Sequence, residues 1–213
     1  MPKTYKTILA DPPWMESGGG QIKRGADKHY PLISTRDICK LPVHKIADTN
    51  CHLYLWVTNN FLPDGLEVLK AWGFSYKTCI TWGKISGYGE SFSPVMQIGL
   101  GQYFRGATEH CLFAVKGVLP YKIANDKRQQ GRTLLIAPRQ EHSKKPDSMR
   151  AMIEKVSYAP YAELFARDKS ENWDIFGNEV ESTINWQGGD EAENEIKAPV
   201  AESSLADDEN ISI

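Results

Sequence analysis

The chain has 213 residues, 41% of them hydrophobic, which suits one well-buried domain and leaves too little for two of ordinary size. No apolar run approaches the ~18 residues of a membrane span and no charged-then-apolar leader opens the chain. Cys39, Cys51, Cys79 and Cys111 form neither a C-x-x-C pair nor a His-supported ligand spacing, so the membrane, disulfide-scaffold and zinc-module classes fall away. A soluble, cytoplasmic chain with no metal is expected. The formal charge of -2 hides an asymmetry: residues 187–213 carry -7 and residues 1–186 carry +5, which is compatible with a polyanionic partner.

The first predicted element is a strand over Tyr5–Ala10, and it runs straight into Asp11-Pro12-Pro13-Trp14. Two prolines fix φ and remove two backbone donors, so Asp11 sits where the strand ends. Its carboxylate and the carbonyl of Pro12 are left as unpaired acceptors, a pair suited to the two N–H groups of an exocyclic amine. Trp14 can then stack on the ring that carries the amine. The plainer alternative is an edge strand ending in a Pro-rich turn, with Trp14 an ordinary core or rim aromatic.

Met15–Tyr30, with Gly18-Gly19-Gly20, reads as a loop. A short helix follows over Thr35–Leu41, where Ser34 and Asp37 fit a capping box. His52–Thr58 is the second strand. The next helix starts near Asn60, has Pro63 and Asp64 in its first turn, carries Leu62, Leu66, Leu69 and Trp72 on one face, and stops at Gly73. Strands over Tyr76–Trp82, His110–Lys116 and Thr133–Ala137 are separated by loops at Ile85–Gly106 and Gly117–Gly131. A helix from Pro146 presents Met149, Met152, Ile153 and Val156 at i, i+3, i+4 and i+7 before strands over Tyr161–Ala166 and, weakly, Trp173–Phe176.

About seven strands alternating with amphipathic helices predict an α/β fold, a mostly parallel sheet with helices on both faces. The domain is expected over 1–181. Residues 182–213, acidic and without apolar periodicity, are expected to be a disordered tail. Ligands of such sheets lie at the carboxyl ends of the strands, where Asp-Pro-Pro-Trp falls. No G-x-G-x-x-G or Walker pattern is present, which excludes dinucleotide dehydrogenases and P-loop NTPases.

Five ordered blocks carry a resemblance: Ile8 through Trp14, Leu53 through Thr58, Glu109 through Gly117, Lys145-Pro146-Asp147, and Glu163 through Arg167 followed by Trp173 through Asn178. Over most of residues 5–180 the chain resembles the adenine N(6)-methyltransferase family named for the catalytic subunit of the mRNA adenosine methyltransferase, particularly its short bacterial and phage members. The resemblance implies a Rossmann-like methyltransferase fold with S-adenosylmethionine as methyl donor. It implies catalytic roles for Asp11, Pro12, Pro13 and Trp14, with cofactor contacts from Asp11, Lys116, Lys145, Pro146, Arg167, Asn178 and Glu179.

Each transferred residue has a structural alternative: a solvated strand-end cap for Lys116, an ion pair with Asp168 or a surface acid for Arg167, a turn position for Asn178, a helix start for Lys145 and Pro146. His110 reads as a core or strand-pairing residue. Glu179 stands where eukaryotic members carry Gln and Ala166 where they carry Gly. The acidic segment that precedes the catalytic motif in longer members has no counterpart in the ten residues before Asp11.

Lys122, Lys127, Arg128, Arg132, Arg139 and Lys144 belong to a cation-rich segment that reads as a phosphate-tracking face, or else as ordinary solvated surface. The function expected is methylation of adenine in DNA, of prophage or restriction-modification type. The alternatives are RNA as substrate, or a non-catalytic nucleic-acid-binding subunit. A homodimer or a partner subunit is compatible with either.

Overall fold

The structure is a computed structural model and describes residues 3–15, 32–89, 92–99, 103–140, 144–184 and 186. Its strands are β1 (Tyr5–Ala10), β2 (Ala47–Val57), β3 (Ser75–Tyr88), β4 (Pro94–Met96), β5 (Thr108–Lys116), β6 (Ile123–Ala124), β7 (Lys127–Arg128), β8 (Leu134–Pro138), β9 (Tyr161–Leu164) and β10 (Trp173–Phe176). Its helices are α1 (Thr35–Lys40), α2 (Leu62–Ala71) and α3 (Asp147–Val156).

Every residue of β1 except Lys6 is buried, as a central strand covered on both faces requires. Eight strands form one sheet in the order β10-β9-β1-β2-β5-β3-β4, with β8 also paired to β3. Strands β10, β9, β1 and β2 are mutually parallel. β5 then runs antiparallel to both β2 and β3, so β3 and its parallel partner β8 point the same way as β1. Only β4 and β5 are reversed.

Strand alternation divides the core into two layers. Ile8, Ala10, Leu53, Leu55 and Val57 meet Ile38 of α1 and Val68, Leu69 and Trp72 at α2. Leu9, Tyr54 and Trp56 face the other way, towards Met149 and Ile153 of α3 and the indoles of Trp82 and Trp173. Helices on both faces of a mostly parallel sheet give the expected Rossmann-like α/β class. Ser34 caps α1 as its sequence suggests, with Asp37 N–H donating to Ser34 Oγ at 3.2 Å and the Ser34 hydroxyl donating to Asp37 Oδ2 at 2.6 Å. No helix among the described residues is long and apolar enough to cross a membrane.

Four expectations need correction. β3 runs on to Tyr88 and β4 forms inside the segment expected to be a loop from Ile85 to Gly106. Gly87, within the segment read as a loop, lies inside β3, and just before that segment a Cβ on Gly83 would lie 2.8 Å from Ile136 Cδ1 of β8. A two-stranded ladder, β6 with β7, likewise occupies part of Gly117–Gly131. Of the loop expected at Met15–Tyr30, only Met15 lies within the described residues.

The third correction is the phase of α2. Leu66, placed on the apolar face by its spacing, is 46% exposed, while Gly65 is buried. A Cβ at Gly65 would stand 2.6 Å from Val57 Cγ1 and 2.9 Å from Leu112 Cδ1, so the helix approaches the sheet along a line with no side chain on it. Hydrophobic spacing does not register such a contact.

The fourth concerns the end of the domain. Thr183 N–H donates to Ile175 O at 2.9 Å and Ile175 N–H donates to Thr183 Oγ1 at 2.8 Å. Ile184 and Trp186 are each 2% exposed, and Trp186 meets Phe176 edge-on at 5.5 Å. The packed chain thus reaches past 181 to Trp186, and the acidic residues 187–213 lie outside the described residues.

Gly65→Ala should lower stability by about 1–3 kcal/mol through overpacking, and Leu66→Ala should change it by less than about 0.5 kcal/mol. Chemical denaturation of the two variants checks this; the reverse order would restore the leucine stripe as the packed face.

Candidate active site

β1 lies at the switch point of the sheet: the chain leaves it towards β2 on one side and later returns as β9 on the other. Strand ends diverge there and open a cleft at the carboxyl edge. Asp11 is the first residue beyond β1. Its N–H still reaches Leu164 O at 3.4 Å, and the two prolines then end the ladder.

The turn is less open than its sequence implies. Trp14 N–H donates to Pro12 O at 2.9 Å, so the Pro12 carbonyl, expected to be unpaired, keeps one of its two lone pairs for a ligand. Ile33 N–H donates to Pro13 O at 2.8 Å and Met15 N–H to Ile33 O at 3.1 Å, tying the turn to the approach of α1. The Trp14 indole is 7% exposed, stacks on Phe61 at 5.3 Å and donates from Nε1 to Trp56 O at 3.0 Å. The structure packs Trp14 in the core, where it pins the turn to β2. Its N–H and one ring face are already engaged.

The Asp11 carboxylate is not unpaired either. Lys145, in the segment leading into α3, donates to Asp11 Oδ2 at 2.8 Å and lies 3.3 Å from Glu109 Oε2. The other oxygen of Glu109 accepts from Lys84 Nζ at 2.5 Å. Asp11, Lys145, Glu109 and Lys84 form a line of alternating charge whose side chains keep only 15–19% of their exposure. Burial alone would raise the Glu109 carboxyl, but the Lys145 and Lys84 ammonium groups outweigh it and hold the group below the ordinary glutamate value. Burial alone would lower Lys145, and the Asp11 and Glu109 carboxylates more than reverse that.

The cleft encloses about 470 Å³, counting its open mouth. Apolar surface comes from Leu9, Trp56, Met149 and Phe165, and charge of both signs from Asp11, Lys145, Arg167 and Asp168. Arg150 grips Glu163 with two hydrogen bonds of 2.8 and 2.9 Å; burial nevertheless pushes the Glu163 carboxyl above its usual value, with the guanidinium opposing. Asp168 pairs with Lys144 at 3.0 Å. Pro146 caps α3 and also lines the cleft.

Two transferred cofactor positions lie apart from this group, and one lies opposite to it. Asn178 and Glu179 are exposed just beyond β10, on the same edge of the sheet, and do not line the cleft. Their approach to β9 is set by Gly177, where a Cβ would fall 2.1 Å from Ala166 O. Lys116 ends β5 opposite Cys51, at the amino end of the parallel strands, because β5 is reversed. The reversal brings the first residues of β5 to the site instead. Glu109, paired across the ladder with Trp82, was missed for that reason, and only knowledge of strand direction marks it out.

The cation-rich segment is also divided. Lys122 donates from Nζ to Glu154 O, near the end of α3 distant from Asp11, and Lys127 and Arg128 sit on the adjoining β6–β7 ladder with Arg128 over the Tyr121 ring. Arg132 and Arg139 flank β8 and are exposed, and Lys144 is at the cleft. His110 pairs strands as expected, with Nε2 2.7 Å from Asn59 Oδ1 and Nδ1 3.1 Å from Thr81 Oγ1.

The model of the MT-A70 family matches residues 5–179, spanning this entire site. The chain belongs to the MT-A70 family. It is 30% identical over 198 residues to the type II methyltransferase M.MunI of Mycoplasma sp, covering 84% of this chain and 78% of that one. It is 28% identical over 184 residues to the N(6)-adenosine-methyltransferase MT-A70-like of Arabidopsis thaliana, covering 83% of this chain but 24% of the relative. The N6-adenosine-methyltransferase non-catalytic subunit MTB of the same plant is 32% identical over 118 residues, 54% of this chain and 14% of its own length.

Glu109→Gln tests the charge line. Removing one partner of a buried pair should cost about 3 kcal/mol at neutral pH. Because the folded-state Glu109 value is depressed, its contribution is complete above the ordinary value of 4.5 and fades as pH falls below it. Thermal melts of wild type and variant should therefore differ widely at pH 7 and converge towards pH 3. A difference constant with pH would show that the carboxylate charge is not what stabilises.

Proposed function

We propose that this protein transfers a methyl group from S-adenosylmethionine to the exocyclic N(6) amine of adenine in DNA, in the manner of a restriction-modification or prophage enzyme. The observation that carries the reading is the Asp11 carboxylate at the sheet's switch point, fixed on Lys145 beside a cleft of mixed charge. That cleft fits the methyl donor in kind: carboxylates for an ammonium group, Arg167 and Lys144 for a carboxylate, and Leu9, Met149 and Phe165 for apolar parts. When bound, the cofactor supplies an electrophilic methyl on a sulfonium.

Adenine's amine is a weak nucleophile because its lone pair is delocalised into the ring. With Lys145 on Oδ2, Asp11 offers Oδ1 to one amine N–H, and the second lone pair of Pro12 O can accept the other. Two fixed acceptors favour tetrahedral nitrogen and stabilise the positive charge that grows there during transfer, without reorganising at the moment of reaction. Trp14 holds the turn in register and Glu109 holds Lys145. In duplex substrate the base must be flipped into the cleft, at a cost of a few kcal/mol that a single strand avoids.

DNA is favoured over RNA because the type II relative matches over most of both chains, whereas the adenosine-specific relatives carry most of their length elsewhere. RNA is the second reading, supported by those same adenosine-methyltransferase relatives. A homodimer or partner subunit is compatible with both and is suggested by the non-catalytic relative. The acceptors kept at Asp11 and Pro12 favour catalysis over a purely binding role.

Asp11→Ala should lower methyl transfer by about 10²–10³-fold, the usual worth of one preorganised transition-state partner, while binding of S-adenosylmethionine in calorimetry weakens far less. Mass spectrometry of adenine from DNA and RNA oligonucleotides incubated with the protein and labelled cofactor reads the outcome. Methylation confined to RNA would replace the substrate and keep the chemistry, and full activity in the variant would remove Asp11 from it.

A further inference from the structure

Four buried side-chain polar atoms among the described residues have no hydrogen-bond partner, and two of them, Trp56 Nε1 and Thr58 Oγ1, lie two residues apart at the carboxyl end of β2. Buried donors are normally satisfied, because leaving one unpaired forfeits its hydration with nothing in return. An orphan in the core costs stability to no purpose; an orphan in the wall of a ligand cleft is satisfied when the ligand arrives. Trp56 lines the cleft and is 1% exposed. It stands next to Asp11, since Ala10 pairs with Leu55 in the parallel ladder, and the Lys145 ammonium that grips Asp11 lies 5.6 Å from its ring centroid. Thr58 follows β2 directly, in extended backbone.

The cleft has two flanks about Asp11. One is formed by the residues after β9, Phe165, Arg167 and Asp168; the other is the end of β2, with Trp56. Only the first joins apolar surface to exposed charge of both signs, which suits a zwitterionic methyl donor. The second is aromatic and offers neutral hydrogen-bonding groups, which suits an uncharged heteroaromatic ring. On adenine the amine is flanked by ring nitrogens, N1 on the adjoining ring position and N7 across the fused edge, and both are acceptors. A base whose amine sits on Asp11 therefore presents an acceptor to a neighbouring donor.

We propose that Trp56 is a specificity residue for the target base: its indole N–H donates to a ring nitrogen flanking the amine and so selects adenine. This rests on the adenine-methylation reading above.

The test pairs an altered substrate with an altered residue. Oligonucleotides carrying adenine, 1-deazaadenine or 7-deazaadenine at the methylated position are compared by kcat/KM. Wild type should lose roughly tenfold to hundredfold on one deaza base, the scale of a buried donor left without its acceptor, and little on the other. Trp56→Phe should lose a similar factor on adenine and no longer distinguish that deaza base from it, with cofactor affinity unchanged. The wild-type comparison stands even if Trp56→Phe unfolds, and benzothienylalanine at position 56, which replaces the N–H with sulfur at nearly constant shape, then supplies the second arm.

Equal rates of wild type on all three bases overturn the proposal. So does a variant that discriminates as wild type does, or one whose loss appears in cofactor affinity. Failure to methylate plain adenine in either nucleic acid would sink the underlying reading instead, and is separately visible.

Discussion

One ammonium group, Lys145 Nζ, shared between the carboxylates of Asp11 and Glu109, ties together the three parts of the chain that make the site. Asp11 ends a central strand, Glu109 begins a reversed strand two places away, and Lys145 arrives from the segment entering α3. Each charge taken from water is costly on its own. In line, with Lys84 closing the far end, each has an opposite neighbour, and the cost of burial becomes a constraint on geometry. A carboxylate with one oxygen fixed in this way has a defined direction for the other.

The rest of the architecture serves that fixed oxygen. The prolines stop the ladder at Asp11, and the Trp14 indole binds the turn back to β2 through its N–H, so the acceptors cannot drift as a free loop would. The parallel strands β1 and β9 end together and leave room for a ligand between them. On the far side of β9, the Arg150–Glu163 pair keeps the base of the cleft polar and closed. The aromatic flank at β2 supplies what the charged flank cannot, a dry wall with a neutral donor.

Much of this was legible before any coordinates. The strand into Asp-Pro-Pro-Trp, the capped helix at Thr35, the apolar stripe of α3 and the mostly parallel α/β class follow from local patterns, the Rossmann-like class follows from the resemblance, and the structure reproduces them. Strand direction was not legible. Nothing in Glu109 through Lys116 says which end faces the site, and the resemblance carried over Lys116 without marking Glu109. Hydrophobic spacing chose Leu66 over Gly65, because close approach is recorded by a missing side chain. Gly87, read as part of a loop, lies inside β3. Trp14 shows a different limit: an aromatic next to a reactive carboxylate has the same sequence signature whether it packs inward or faces the ligand, and only its neighbours decide.

The reversal of β5 has a consequence for how such a domain can diversify. β3 runs on past Gly83, which pairs with Thr108 at the start of β5, so the chain leaves and re-enters the sheet at its carboxyl edge. An excursion anchored at both ends by neighbouring strands can grow at little entropic cost, about 0.6 kcal/mol for each doubling of length. New reach over a nucleic acid, or a new surface for another chain, could be added there without moving the fixed carboxylate. The reversed strand thus separates the part of the molecule that must hold still from the part that is free to be rewritten.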